Sequence, residues 1–275
     1  MAGKLGGLLG GGIVALTLAG TACGYDNSSN PSGSGYGDSA AAALTEPATP
    51  AVIGRSRFRV FTATGDIAPQ LVEFRAVLGD PSNGGTPGPL AGGRREIKWD
   101  GAPSGPLPGD FFNTTVKAGA IFGTDGTGFL NSDNDFIDLN LTYADDFAAF
   151  SPLKTFMPIG SAELTVDFRV PGSGTRAVTR GFGVVFSDVE RVGAASIKLF
   201  DADGRSLGQY HAPVRSDAAG FSFVGVAFDS PIVAQVVITS GQRSLGAGVQ
   251  DLSDGGNLDL AIMDDYLYAE PQALP

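Results

Sequence analysis

The segment Ala162–Val170 alternates without a fault: Leu164, Val166, Phe168 and Val170 lie on one side, Glu163, Thr165, Asp167 and Arg169 on the other. Successive side chains of a strand point to opposite faces, so this pattern fits a strand with one buried and one wet face, and not a helix. Further strands are predicted over Val178–Phe186, Ala195–Phe200, Phe221–Phe228, Ile232–Thr239 and Leu258–Tyr268. Phe221–Phe228 is apolar on both faces, which puts it at the centre of a covered sheet. Asp-Gly pairs stand at Asp100-Gly101, Asp125-Gly126, Asp203-Gly204 and Asp254-Gly255, and that dipeptide tolerates the positive φ of tight hairpins. Asp203-Gly204 joins Ile197–Phe200 to Ser206–His211 and predicts a hairpin there. Helical spacing is confined to Gln70–Leu78, through Leu71, Phe74, Val77 and Leu78, with Pro69 suited to a first turn and Gly79 to a stop. The 41 glycines, 17 prolines and 18 phenylalanines against 3 methionines agree with a turn-rich, aromatic β core. Strands at intervals of about 8–12 residues with Gly/Pro turns between them specify an all-β fold. The expected architecture is an antiparallel β-sandwich of jelly-roll type over residues 55–270, with one short helix near 70–78.

The front of the chain is organised differently. Lys4, the apolar run Ile13–Leu18 and the small residues Gly20-Thr21-Ala22 have the layout of a signal peptide over residues 1–22. Cys23 follows directly, the one cysteine of 275 residues. A cysteine there resembles the lipobox of bacterial lipoproteins, in which the thiol is diacylated and the residue becomes the mature N-terminus. Gly20 stands where that family usually carries Leu or another aliphatic residue, and an ordinary secretory signal with a coincidental cysteine is the alternative. The resemblance implies an extracytoplasmic protein of the bacterial cell envelope, lipid-anchored, with the membrane as partner. Residues 24–54 are mostly Ser, Gly, Asn, Ala, Pro and Thr, too poor in apolar groups to offset ordering entropy, and read as a disordered linker. Residues 271–275 read as a tail. With Cys23 acylated, disulfides and thiol catalysis are excluded. The net charge of −11 excludes nucleic acid as a partner and leaves many carboxylates for hard cations.

Several stretches together carry a second resemblance. Phe74–Gly79, Gly93–Gly101 (with Arg94-Arg95-Glu96-Ile97-Lys98-Trp99), Leu107–Asn113, Gly181–Val189 and Ile262–Tyr268 are similar to a group of uncharacterised secreted bacterial β-sandwich proteins. Many of these carry a C-terminal PEP-CTERM sorting tail after a similar Asp-Asp-aromatic ending. Here the chain ends Glu270-Pro271-Gln272-Ala273-Leu274-Pro275, and the expected anchor is at the front instead. The resemblance covers residues 70–270. It implies a jelly roll similar to carbohydrate-binding and galactose-binding-like modules and is silent on activity, because fold alone does not license function.

His211 is the only histidine, so a Ser-His-Asp triad would have to use it. Gly204-Arg205-Ser206-Leu207-Gly208 matches a nucleophile elbow on paper, but the elbow needs a strand-turn-helix and this match falls in a hairpin. Asp201-Ala202-Asp203-Gly204 opens like an EF-hand loop and then fails, with Arg205, Ser206 and Ala212 at ligand and turn positions. The polar run Asn131–Asp135, with Asp138 and Asn140, could wrap a cation or be an exposed loop. Asp145-Asp146 is one more acid pair with no distinguishing spacing. Asp264 and Asp265 are the most informative acids: neighbours in a strand face opposite ways, so one must face inward or sit at the sandwich rim, and an inward carboxylate needs a cation or a strong donor. In jelly-roll binding modules a structural calcium often sits near the last strand, so the resemblance implies calcium as cofactor, held by Asp264 and Asp265 with Glu96. A salt bridge to Arg94 or Arg95 is the alternative. Sugars stack on exposed aromatics, which makes Trp99, Tyr266 and Tyr268 the ligand-binding candidates, with Tyr143 and Tyr210 behind them. Ile97 and Trp99 share a face, however, which favours core packing for Trp99. The sequence therefore points to a non-catalytic glycan-binding or cell-envelope surface module; the alternative is an extracellular polysaccharide hydrolase working through an acid pair.

Overall fold

The computed structural model describes residues 51–53 and 56–274. Cys23, the signal segment and most of the linker lie outside the described residues. Two antiparallel sheets pack face to face as a β-sandwich. The larger, nine-stranded sheet runs in the order Ala51–Ile53, Ser56–Thr64, Phe221–Phe228, Gly181–Ser187, Ile262–Ala269, Thr155–Ile159, Gly128–Ser132 and Gly105–Leu107. Arg94–Ile97 also pairs with Ile262–Ala269. The smaller, five-stranded sheet runs Ser206–His211, Ala195–Phe200, Gln235–Ser240, Glu163–Phe168 and Ala120–Gly123.

The alternation of the sequence decides which side chains meet. Leu164, Val166 and Phe168 of the smaller sheet face Phe182, Val184 and Phe186, Val224 and Val226, and Tyr266 and Tyr268 of the larger one, in one continuous core. The intervening Val185, Phe223 and Leu267 point out of the other side of the larger sheet, into a second apolar cluster. Water is kept from that cluster by the helix Ala68–Leu78, which lays Leu71, Phe74 and Leu78 on the sheet. Each such buried side chain contributes about 1.5–3 kcal/mol. Pro69 sits in the first turn, Gly79 N–H closes the last turn on Arg75 O, and the Arg180 guanidinium donates to the carbonyls of Val77 and Leu78, where a cation suits the helix C-terminus. The ring of Phe74 reaches the sheet because two facing positions are glycines: a Cβ at Gly183 would lie 2.7 Å from it, and one at Gly225 2.9 Å.

The predicted strands recur with adjusted ends. Asp203-Gly204 does close a hairpin between Ala195–Phe200 and Ser206–His211, and Phe221–Phe228 is central and covered on both faces. Val178–Phe186 is two strands, Ala177–Val178 and Gly181–Ser187, because Thr179 leaves the sheet to bridge Val233. Two boundaries move. Ala51–Ile53, assigned to the linker, pairs along Ser56–Phe58 as an edge strand, and Gln272–Ala273, assigned to the tail, pairs with Ala177–Val178. Both are short segments whose partners lie elsewhere in the fold, so nothing local marks them. Among the described residues no helix is long and apolar enough to cross a membrane.

Candidate functional site

The aromatic candidates are core residues. Trp99, Tyr266 and Tyr268 are fully buried, and so is Tyr143. Trp99 stacks on Phe156 with ring centroids 3.8 Å apart, meets Tyr266 edge-on, and donates its indole N–H to Asp264 O at 2.8 Å. The Tyr268 hydroxyl donates to Ala118 O. A sugar stacks on a ring only where a face is open, so Trp99, Tyr266 and Tyr268 are not a ligand platform. Strand alternation turns Tyr266 and Tyr268 to the inner side of the sandwich, while Trp99 enters the core from the 3-10 turn Trp99–Gly101. Tyr210 is half-buried, edge-on to Phe58.

The acid candidates separate into different partnerships. Both Glu96 oxygens accept guanidinium N–H groups, from Arg75 and Arg94. Burial alone would raise the Glu96 carboxyl, but the two arginines outweigh it and hold the group low. Arg95 goes to Glu270 instead. Glu96 therefore does not join Asp264 and Asp265, and neither Arg94 nor Arg95 makes an ion pair with the aspartates. The expectation that the two aspartates face opposite ways also fails, and the reason is a β-bulge. Tyr266 pairs with Val184 and Met263 with Phe186, so Asp264 and Asp265 both stand against Val185. Both carboxyls turn to one side, where the Ser151 hydroxyl lies 3.0 Å from Asp264 Oδ1 and 2.7 Å from Asp265 Oδ1. The N–H groups of Phe150 and Ser151 donate to Asp264 Oδ2. Burial raises both carboxyls, and the charge of Asp265 raises Asp264 further, against the N–H and hydroxyl donors of Phe150 and Ser151.

The remaining motifs serve local structure. Asp201 Oδ1 accepts the N–H groups of Asp203 and Arg205, closing the hairpin turn. His211 and Ser206 are exposed on the strand after it, far from an elbow geometry. Asn131 is buried, its amide donating to the carbonyls of Trp99 and Pro103, and Asp133 accepts from Ser104.

A different acid cluster forms at one end of the sandwich. Asp188 and Glu190 follow the strand Gly181–Ser187, Asp146 ends the turn after Leu141–Asp145, and Asp251 and Asp259 lie in the loop before Ile262–Ala269. One carboxylate oxygen from each of Asp188, Glu190 and Asp251 lies within 4.8 Å of the others. Asp188, Asp251 and Asp259 are fully buried, Asp146 nearly so, and Glu190 half-exposed at the rim. Asp188 adopts φ +65°, a conformation Asp tolerates better than most residues, which swings its carboxyl into the cluster. Burial, then the charges of Asp251, Glu190, Asp146 and Asp259, push the Asp188 carboxyl up to about 9. Burial lifts Asp146 and Asp259 to about 6, against a hydroxyl bond from Ser253 in the first and the N–H groups of Arg191 and Glu190 in the second. Sequence reasoning passed over Asp188, Glu190, Asp251 and Asp259. They come from distant loops, and no spacing connects them.

The outer face of the smaller sheet is the open counterpart of the helix-covered one. Its register sets side chains in rows: His211, Ser196, Thr239 and Glu163; Gln209, Lys198, Val237, Thr165 and Gly123; Phe200, Gln235, Asp167 and Ile121. Gln235 donates to Asp167 at 3.1 Å and Gln209 to Ser196 at 3.1 Å, while the Lys198 ammonium lies 5.1 Å from the Phe200 ring centroid. Beside Gly123, where a side chain is missing from the row, a shallow groove of about 400 Å³ opens between Asp125, Glu163 and Thr165. A second groove, of about 470 Å³, shares Glu163 and continues to Thr239 and Gln242.

These features define a two-sheet antiparallel β-sandwich with one covered and one open outer face. No known family model matches the chain, and no curated protein matches it. Among solved structures it is similar to the enzymatically active domain of tailspike protein 4 of bacteriophage CBA120, at 14% identity and a TM-score of 0.23. That match covers 61% of this chain and 20% of the tailspike chain.

Proposed function

We propose that this chain is a non-catalytic, extracytoplasmic module of the bacterial cell envelope, lipid-anchored through Cys23, that binds glycans on the open face of the smaller sheet. The observation that carries the reading is that face itself: rows of amide, hydroxyl and charged groups at strand spacing, continuous with a groove, on a rigid scaffold. Hydroxyl-rich ligands need donors and acceptors of both kinds in fixed positions, and Gln235, Gln209, Thr165, Thr239, Asp167 and Lys198 supply them. Binding here relies on hydrogen bonds more than on stacking, because Phe200 is the one aromatic borne by these rows. The hydrolase alternative has less support. Among the closely approaching acid groups, Asp264 with Asp265 and Asp188 with Asp251 are buried, and Glu190 alone reaches the rim, with no second open carboxylate in its cluster to complete a catalytic pair. Glu163 and Asp167, the acids on the strands of the open face, are four residues apart, about 13 Å along a strand, beyond the roughly 5–9.5 Å a glycosidase needs.

A glycan array probed with the full chain tests the reading. Binding is expected, and it should fall at least tenfold in Gln235→Ala/Lys198→Ala with the melting temperature unchanged. No retained glycan, or retention unaffected by the double variant, would refute the assignment to this face; release of shorter sugars from a bound glycan would restore the hydrolase. For the anchor, labelling with a palmitate analogue should mark the wild type and leave Cys23→Ala unlabelled, and label retained in the variant would sink it.

A further inference from the structure

We propose that Asp188, Glu190 and Asp251, completed by Asp146 and Asp259, form a calcium site that ties the loops at one end of the sandwich together. The inference is independent of the glycan reading and concerns residues that reading does not use.

The argument starts from unpartnered groups. Both oxygens of Asp188 are fully buried and accept no hydrogen bond; the same holds for one oxygen each of Asp146, Glu190 and Asp259. Buried carboxylates are otherwise met by donors or cations, as Glu270 and Asp264 are in this same protein. None of the five takes part in an ion pair among the described residues. The Arg191 guanidinium donates to Gln242 Oε1 and Asn257 O, and its charge only partly offsets the burial of Asp259. Four acids with unpartnered buried oxygens, gathered around Asp251 and without an ion-pair partner, cannot all be ionised without a cation between them.

The rest of the cluster is built as a support. Asp251 accepts the N–H groups of Leu260 and Ser253, which fixes its rotamer. The Ser253 hydroxyl lies 2.8 Å from Asp251 and 3.0 Å from Asp146, and the Glu190 N–H donates to Asp259 Oδ2 at 2.9 Å. Asp146 and Asp259 each keep one oxygen free beside the bonded one, and the two bonded oxygens of Asp251 each retain a second lone pair. A metal at this point would displace the protons that burial otherwise keeps on these carboxyls, and would let them bear their charge.

The donor set selects the ion. All ligands are oxygens, which fits a hard cation and not zinc or copper, whose sites use His or Cys. Calcium takes 6–8 oxygens at about 2.3–2.6 Å, so oxygens on opposite sides of it are up to about 5 Å apart. The chosen oxygens of Asp188, Glu190 and Asp251 all lie within 4.8 Å of one another, inside that diameter, and a cage made of several protein carboxylates suits calcium better than magnesium, which keeps several waters in a strict octahedron. Glu190, at the rim, provides the way in.

The test uses the full chain, stripped of metal with chelator, then titrated with calcium chloride by calorimetry and followed by thermal melting. One equivalent of calcium should bind at this site, and at about a hundredfold excess over Kd the melting temperature should rise by several degrees. Asp188→Asn keeps the left-handed backbone tolerable and removes a buried charge. It should abolish the calcium response while melting in chelator no lower than wild type. Glu190→Gln, at the half-exposed rim, should weaken calcium binding at least tenfold and provides the test should the Asp188 variant fail to fold. Asp265→Asn should keep the full response. Identical wild-type melts with calcium and chelator and no heat of binding would overturn the site. So would a response lost in Asp265→Asn and kept in Asp188→Asn and Glu190→Gln, or tighter binding of magnesium than of calcium.

Discussion

Arg95 and Glu270 form a fully buried ion pair, and removing one member isolates the other in the interior. The guanidinium lies beside Glu270 with Nε 2.7 Å from Oε2 and Nη2 2.8 Å from Oε1, and Nη1 donates to the carbonyls of Gly84 and Lys117. Glu270 also accepts from Asn83 Nδ2 and the Leu90 N–H. In Arg95→Met the stem is kept and the fork is lost, leaving the Glu270 carboxylate with two neutral donors and the carbonyls of Gly84 and Lys117 unmet. Breaking a buried pair this way costs about 3–5 kcal/mol. At roughly 2–4 °C per kcal/mol for a domain of this size, the midpoint should fall on the order of 6–20 °C. Urea unfolding read by the fluorescence of Trp99, the one tryptophan, measures it. Glu270→Gln should cost a comparable amount by stranding the guanidinium. The double variant Arg95→Met/Glu270→Gln should lose much less than the sum, because no uncompensated charge remains. A cost below about 1 kcal/mol for Arg95→Met at unchanged m, or strict additivity in the cycle, would refute the view that the pair is an interdependent buried unit.

Two further perturbations read other parts of the core. The Asp264/Asp265 pair is raised in the folded state, so the fold holds a proton that the unfolded chain releases above the ordinary carboxylate range; this contribution to stability is present at low pH and is lost as pH rises toward the raised value. Asp265→Asn removes the like charge, and the difference in melting temperature between pH 5 and pH 8 should shrink relative to wild type; an unchanged difference would count against the Asp265 charge as a cause of the raised Asp264 carboxyl. A Cβ at Gly225 would stand 2.8 Å from the Phe223 ring and 2.9 Å from Phe74. Gly225→Ala should therefore cost about 1–3 kcal/mol by overpacking, and Phe74→Leu should partly relieve it; wild-type stability in Gly225→Ala would show that the helix can lift without loss.

The sequence by itself determined the sandwich class, the strands with clear alternation and the helix over Leu71 to Leu78, because each rests on a local period: two residues for Leu164 to Val170, about 3.6 for the helix; the short helix Phe111–Thr114 and the strands Gly105–Leu107 and Ala120–Gly123 are too short to show one. It also determined the Asp203-Gly204 hairpin, where turn chemistry acts over neighbours. What only the tertiary structure decided is which polar groups meet. Trp99 reaches the core from a 3-10 turn that no period marks. Period two assigns Tyr266 and Tyr268 to a face of a strand but cannot say whether a second sheet covers that face, and here it does. It assigns Asp264 and Asp265 to opposite faces, yet a one-residue bulge against Val185 sets both beside Ser151. Asp146, Asp188, Glu190, Asp251 and Asp259 meet because three loops converge at one end of the sandwich, and loop convergence leaves no period in the chain. Alternation is written residue by residue; the partner of a buried charge is fixed by the packing of segments distant in sequence.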